Sequence, residues 1–420
     1  MKYSVITFGC RVNQADSLGF EEVLRERGDR AVPAEEADFV LVNTCSVTAS
    51  ADQAARQAIR RMARNNPRAR IVVTGCYATR EPASVSELQN VVAVLPNSEK
   101  PRLLPLLTER GVLTTAERFG AGDGSCGEAL GPGIAGRTAF TLRVQTGCAE
   151  SCSYCIIPST RGTPRSVPIS DVIDEVRRVE RAGFREIAVT GVHLGSYGRD
   201  LSPASSLVDL LRALSHATEG VLFRISSLEP MDCTDEVVDL MATISAFAPH
   251  FHLPLQHASN RLLQAMRRPY SLRQYASLVD HIRRRLPTAA IGSDVIVGFP
   301  GESDEEFEQL ANYLERSPLT HIHVFPYSDR PGTEASHMGG KVPGVVIRQR
   351  SLRIRQISEG LSAAFRSAQV GTTLRALTIE DGTLVVTGNY LKLRVAPGRQ
   401  RNEWVDVRVT SHHHGELLGG

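Results

Sequence analysis

Six of the eight cysteines stand at spacings that suit metal chemistry. Cys148, Cys152 and Cys155 form a Cys-x3-Cys-x2-Cys run, with Tyr154 just before the last thiol. Three thiolates this close can hold three irons of a four-iron cubane and leave the fourth iron open to a ligand, as a catalytic metal requires. A structural zinc wants four ligands, commonly as two pairs, and no fourth Cys or His is near in sequence. The other trio is spread out. Cys10, Cys45 and Cys76 each end the same pattern: Val5-Ile6-Thr7-Phe8-Gly9-Cys10, Val40-Leu41-Val42-Asn43-Thr44-Cys45 and Ile71-Val72-Val73-Thr74-Gly75-Cys76. Each has an apolar strand, a short exit and a thiol. The alternative is three buried strand-end cysteines, but the repeated offset favours a shared centre. Soft thiolates there suit an iron–sulfur cluster or zinc. Cys126 and Cys233 fit neither pattern and read as structural or incidental.

For those thiols to meet, the chain must deliver them to common edges. Residues 1–115 alternate strand-like stretches (Val5–Phe8, Val40–Val42, Ile71–Val73) with helix-like ones (Asn13–Arg27, Ser50–Asn65), which predicts a parallel α/β sheet. The carboxyl ends of such strands share the ligand-binding edge. A Gly-rich linker follows over 116–137, from Gly120 to Gly136. Residues 138–365 carry six strand candidates: Phe140–Gln145, Glu186–Thr190, Leu222–Ser226, His250–Leu255, Ser293–Val297 and His321–Pro326. Six units are too few for an eightfold barrel, so a partial (β/α)6 barrel is expected. Ser170 is expected to cap the helix bearing Val172, Ile173, Val176 and Val179, and Ser303 with Glu306 to form a capping box. Residues 368–411 turn all-β, with Asp381-Gly382 as a hairpin signal. The tail, 412–420 with His412, His413 and His414, is expected to be disordered.

The chain has 420 residues, 42% of them hydrophobic and 22% charged, with net charge +2. That is a globular, multidomain balance rather than a disordered one. No apolar run approaches the roughly 20 residues of a membrane span, and Met1–Cys10 is no secretory signal, so a cytoplasmic protein without a membrane partner is expected. Eight cysteines there are not a disulfide framework.

The second trio, its Tyr and the partial barrel resemble the radical S-adenosylmethionine (SAM) enzymes. The resemblance implies that Cys148, Cys152 and Cys155 are catalytic, holding a 4Fe-4S cluster whose open iron binds SAM and cleaves it to a 5′-deoxyadenosyl radical. It places Tyr154 against the adenine, Gly191 at the methionine amino group, and Asp294 to Gly298 along the cofactor. The whole chain is similar to the methylthiotransferases, in which an amino-terminal domain carries a second 4Fe-4S cluster, implied here on Cys10, Cys45 and Cys76, and a small TRAM β-barrel ends the chain. Thr7–Gln14, Thr190–Gly195, Ser226–Pro230 and His323–Ser328 look most like the branch that methylthiolates carbon 2 of N6-threonylcarbamoyladenosine beside the tRNA anticodon. Relatives act on N6-isopentenyladenosine or on a ribosomal-protein aspartate. The resemblance implies that one SAM methylates sulfur at the first cluster while a second yields the radical that opens the target carbon. It also implies the tRNA anticodon loop and an electron donor such as flavodoxin or ferredoxin as partners. A carbon of such low acidity lies beyond side-chain acid–base catalysis. A non-catalytic iron–sulfur RNA-binding module is the remaining alternative, against which the complete Cys-x3-Cys-x2-Cys spacing argues.

Arg56, Arg60 and Arg64 share one helix stripe, with Arg61 beside it, open to two readings: RNA phosphate contacts or a solvated face. Tyr390 and Trp404 are expected in the core of the terminal β domain rather than stacked on bases. The strand pairs His250/His252 and His321/His323 are expected to line the barrel in a structural or substrate-orienting role.

Overall fold

The protein is described by a computed structural model covering residues 1–109, 111, 113, 131–133, 136–413 and 415–420. Cys126, His414 and most of the Gly-rich linker lie outside the described residues.

The amino-terminal sheet contains β1 (Lys2–Thr7), β2 (Arg30–Ala31), β3 (Phe39–Thr44), β4 (Arg70–Gly75) and β5 (Val91–Leu95). All pair in parallel, in the order β2-β1-β3-β4-β5. The three strands that end in cysteine are therefore adjacent. All of β3 is buried, as its uninterrupted apolar run requires of a strand covered on both faces. The helix Arg11–Glu26 starts directly after Cys10, and Ala49–Asn65 starts after Thr48, whose side chain accepts from the Ala51 N–H.

The central part contains β6 (Phe140–Arg143), a short antiparallel pair β7 (Gln145–Thr146) and β8 (Arg165–Ser166), then β9 (Glu186–Thr190), β10 (Leu222–Ile225), β11 (His250–His252), β12 (Ala290–Val297) and β13 (His321–Pro326). These form two parallel three-stranded sheets, β10-β9-β6 and β11-β12-β13. A parallel bridge Phe223↔Phe247 and a bond from Leu228 N–H to His252 O (2.9 Å) link them. One continuous core, from Phe140 to Ile354 and joined by Leu18 of the helix Arg11–Glu26, fills the resulting partial barrel. The Ser303/Glu306 capping box is present. Ser170 is not a cap, contrary to expectation. Pro168 occupies the N-cap and the helix runs Ile169–Arg181, while the Ser170 hydroxyl turns to Asp171 (2.9 Å). Pro168, with its φ fixed by its ring, starts the helix before Ser170 can.

The helix Gly344–Ala368 leads into β14 (Thr373–Ile379), β15 (Leu384–Thr387), β16 (Lys392–Arg394), β17 (Trp404–His413) and β18 (Glu416–Gly419). They make a closed barrel, ordered β14-β15-β16-β18-β17, with the Asp381-Gly382 turn between β14 and β15. The expectation of a disordered tail is overturned. β18 pairs antiparallel with β17 and parallel with β16, and buries Leu417. Without it both neighbouring strands would keep open edges. No helix of the described residues is long and apolar enough to cross a membrane.

Candidate active site

The first cysteine trio meets where β1, β3 and β4 end. Cys10 is exposed, while Cys45 and Cys76 are buried. Gly9 and Gly75 make the approach possible. Both have left-handed φ (+91° and +98°). A Cβ on Gly9 would sit 2.5 Å from Cys45 Cβ, and one on Gly75 2.2 Å from Thr44 O. Burial pushes the Cys45 thiol up to about 11, and the other two sulfurs add to the rise. Free thiols crowded in this way gain from binding a cation as thiolates. Asn97 Nδ2 donates to Cys76 Sγ at 3.5 Å and to Thr160 O at 2.9 Å, tying this edge to the central part. Arg161 adds a buried positive charge beside Cys76 and Cys10, which hold its guanidinium protonated despite its burial.

The second trio sits on the loop after β7. Cys148, Cys152 and Cys155 are half-buried. Their sulfurs accept from Glu150 N–H (3.4 Å), Arg268 Nη1 (3.1 Å) and Ile157 N–H (3.5 Å) respectively. Arg268 is in turn bound to Glu229 and to the Tyr270 hydroxyl (3.1 Å). Burial pushes the Cys155 thiol up to about 12. His193 faces Cys148 and meets Asp232 at 2.8 Å. Burial would lower its pKa, but bonds with Asp232 and Cys148 raise it to about 9. Among the described residues, only His252, Asp294 and His323 bring three His, Cys, Asp or Glu ligand atoms within 4.8 Å of one another. Neither cysteine trio is drawn in to the spacing a single zinc ion imposes, whereas ligands to separate irons of a cluster stand farther apart.

Beside the first trio lies a cavity of about 1100 Å³. Cys10 and Cys45 line one side, Gly191, Asp294 and the four histidines of β11 and β13 another, and Tyr390 and Lys392 of the terminal barrel the third. Asp294 accepts from His252 (2.9 Å) and faces His323 (3.3 Å). Burial alone would raise the Asp294 pKa, but these two imidazoles bring it well below the usual carboxylate range. The bond to Asp294 raises His323, while burial lowers His321 to about 4. A smaller space lined by Tyr154 and Gln256 adjoins the cavity, with Val47, Thr48, Asp294 and Phe325 common to both.

Residues 2–96 match the family described as uncharacterized protein family UPF0004, and residues 142–314 match the radical SAM superfamily. The threonylcarbamoyladenosine tRNA methylthiotransferase MtaB of Aquifex aeolicus is 36% identical over 94% of this chain and 96% of its own length. MtaB of Bacillus subtilis is 35% identical over 92% and 88%. A tRNA-2-methylthio-N(6)-dimethylallyladenosine synthase from Clavibacter michiganensis is 32% identical over 97% and 81%. The chain belongs to the radical SAM methylthiotransferases. The fold alone is also shared with the radical SAM methyltransferase TsrM from Kitasatospora setae (TM-score 0.56, 16% identity, 77% of this chain and 72% of that one).

As a methylthiotransferase, the chain uses SAM and 4Fe-4S clusters, and two convergent thiol trios fit such clusters by donor chemistry. The residues expected to hold SAM divide in two. Tyr154, Gly191 and Asp294 line the connected spaces. Gly191 is kept small by Gln145, whose Oε1 would lie 3.0 Å from an added Cβ. Gly298 instead turns to the helix Gly344–Ala368: its φ is +78°, an added Cβ would meet Ile347 Cγ1 at 2.4 Å, and its N–H bonds Glu302. Tyr390 is not core, contrary to expectation, but half-exposed in the cavity (48%). The short turn at Gly388–Leu391 holds it there at a left-handed φ of +65°. Trp404 lies under the Arg375 guanidinium (4.5 Å). Arg56 bonds the Tyr77 hydroxyl (3.0 Å), while Arg60, Arg61 and Arg64 stay exposed and outside the cavity lining. Sequence reasoning missed the buried ionic seam beside the first trio. Asp16 binds Lys100 (2.6 Å), Arg143 and Arg161, and Asp52 binds Arg80 (2.5 Å) and Arg330 (2.9 Å).

Proposed function

We propose that this methylthiotransferase acts on tRNA, placing a methylthio group on carbon 2 of N6-threonylcarbamoyladenosine next to the anticodon. Cys10, Cys45 and Cys76 hold one cluster, and Cys148, Cys152 and Cys155 the other. The observation that carries this reading is the single cavity lined both by Cys10 and Cys45 of the first trio and by Thr190, Gly191 and Val192, with room for a splayed base. Bound there, the clusters and SAM supply methylated sulfur and a carbon-centred radical. The chain's own residues do the rest. Arg268 and His193 neutralise the second trio's thiolates. Arg161 does the same for the first, where Asn97 adds a hydrogen bond to Cys76. Tyr154, Gly191 and Asp294 bind SAM. In this division of labour, 1–115 carries the sulfur site, 116–137 links, 138–365 generates the radical and 368–411, with the strand beyond it, closes over the substrate.

The anticodon loop is the substrate element, a flavodoxin or ferredoxin the electron source, and the cytoplasm the setting. The relatives named for dimethylallyladenosine supply a second reading, but the cations Arg11, Arg366 and Lys392, unpaired among the described residues and set in a largely apolar lining, favour an anionic N6 group. Nucleoside analysis by mass spectrometry separates them. tRNAs bearing either base are incubated anaerobically with reconstituted enzyme, SAM, a sulfide source and dithionite. Methylthiolation of the threonylcarbamoyl base is expected. Product only on the isopentenyl base overturns this reading in favour of the second.

A further inference from the structure

The charges around the cavity do not balance. Among its lining residues the one acid is Asp294, already engaged by His252 and His323. Arg11, Arg366 and Lys392 line the same space, and no carboxylate of the described residues pairs with any of them. A cavity left with unneutralised cations is built for an anion. The three differ in how they are held. Lys392 is exposed and Arg366 lies on the connecting helix, and among the described residues neither side chain makes a hydrogen bond or ion pair. Arg11 is fixed. Its Nη2 donates to the Tyr390 hydroxyl at 3.2 Å, and its guanidinium carbon lies 5.8 Å from the centre of the Tyr390 ring.

Tyr390 in turn is anchored from the central part. Arg224 lies 4.6 Å from the same ring centre. It is fully buried and bound to Glu186 (2.8 Å) and Gly388 O (2.7 Å). The His250 ring is 5.1 Å from Tyr390. His250 lines the cavity, is 6% exposed, and its Nδ1 has no hydrogen-bond partner. A guanidinium from the amino-terminal part is thus presented by a tyrosine of the terminal barrel, beside a buried imidazole with a free nitrogen, one residue from Cys10.

We infer that Arg11, presented by Tyr390, is an oxyanion subsite that takes the free carboxylate on the N6 substituent of the target base. The inference rests on the proposed substrate and adds the residue that selects it. A planar guanidinium takes a carboxylate through paired hydrogen bonds, and a preorganised one does so at lower entropic cost. Phosphate is the other oxyanion an RNA offers. Carbon 2 and the N6 group both flank N1 of the purine, so the N6 group enters with the reacting carbon. The phosphates stay with the sugars, and the cavity holds two further cations for them, Arg366 and Lys392.

The test uses reconstituted holoenzyme and three fluorescent anticodon stem-loops, carrying N6-threonylcarbamoyladenosine, its methyl ester, or N6-isopentenyladenosine. Binding is read by anisotropy across a salt series, with nucleoside analysis of the products. Wild type should bind the acid about 10- to 100-fold tighter than the ester, the range of a charged hydrogen-bonded contact. Arg11→Gln should bind acid and ester alike, at the wild-type affinity for the ester, with the salt slope on the ester RNA unchanged. Tyr390→Phe, which keeps the ring and removes the tether, should narrow the preference without abolishing it, and it carries the test if Arg11→Gln does not retain iron. Equal weakening of acid and ester in Arg11→Gln, with the salt slope falling by about 1, would make Arg11 a phosphate contact and overturn the inference. So would a wild type that does not distinguish acid from ester. Wild-type product on the isopentenyl RNA alone would instead sink the proposed substrate.

Discussion

Arg268 shows how a single side chain couples the loop of Cys148, Cys152 and Cys155 to the barrel. Its side chain is 2% exposed and its charge is met by Glu229 on one side and by Cys152 on the other. Removing one partner of a buried pair leaves an uncompensated charge, at about 3 kcal/mol or more. Glu229→Ala is therefore expected to lower the unfolding free energy measured in urea by that amount, whereas Glu229→Gln, which still accepts a hydrogen bond, should lose less. Asp294 is the second case. Its depressed pKa contributes stability that is present above the ordinary carboxyl value and is lost as pH falls through the lowered one. The raised pKa of His323 contributes below the ordinary imidazole value and is lost as pH rises through the raised one. In Asp294→Asn the His323 ring should titrate at lower pH than in wild type, read from its proton resonances. An unchanged titration would mean that Asp294 does not set it.

At the scale of elements, the legible parts were those written in local pattern. The apolar runs ending at Cys10, Cys45 and Cys76 became three adjacent parallel strands, because burial on both faces needs no partner to be visible in sequence. Ser303 and Glu306 were readable for the same reason. Ser170 misled because Pro168, two residues upstream, sets the helix start. β18 was hidden because its partners are set by barrel closure, and Leu417 is its one buried side chain. Deleting residues 415–420 should therefore open β16 and β17, lower the thermal midpoint and promote self-association, seen by light scattering. A truncated chain as stable and monomeric as wild type would contradict the closed barrel.

Across the whole molecule, the cavity depends on three parts meeting at one place, and the meeting is held by buried charge. Arg330 donates to Asp52 across 278 residues of sequence and also to Ser46, beside Cys45. Nothing local marks such pairs, because an arginine and an aspartate far apart in sequence read as two surface charges. Asp52→Ala strands Arg330, leaves Arg80 paired with Glu81, and is expected to cost about 3–5 kcal/mol. It should also speed amide exchange in the loop after β3 ahead of the core strands. Tyr390 escaped sequence reasoning in the same way, since its neighbours Arg11, Arg224 and His250 come from the other two parts.

The proposed chemistry requires two separate thiol trios, each holding a cluster. Iron and acid-labile sulfide are counted in anaerobically reconstituted wild type and in the Cys148→Ala, Cys152→Ala, Cys155→Ala variant. Wild type should hold about eight irons and the variant about four, as two independent cubanes require. About four irons in wild type, lost entirely in the variant, would mean that Cys10, Cys45 and Cys76 hold no cluster.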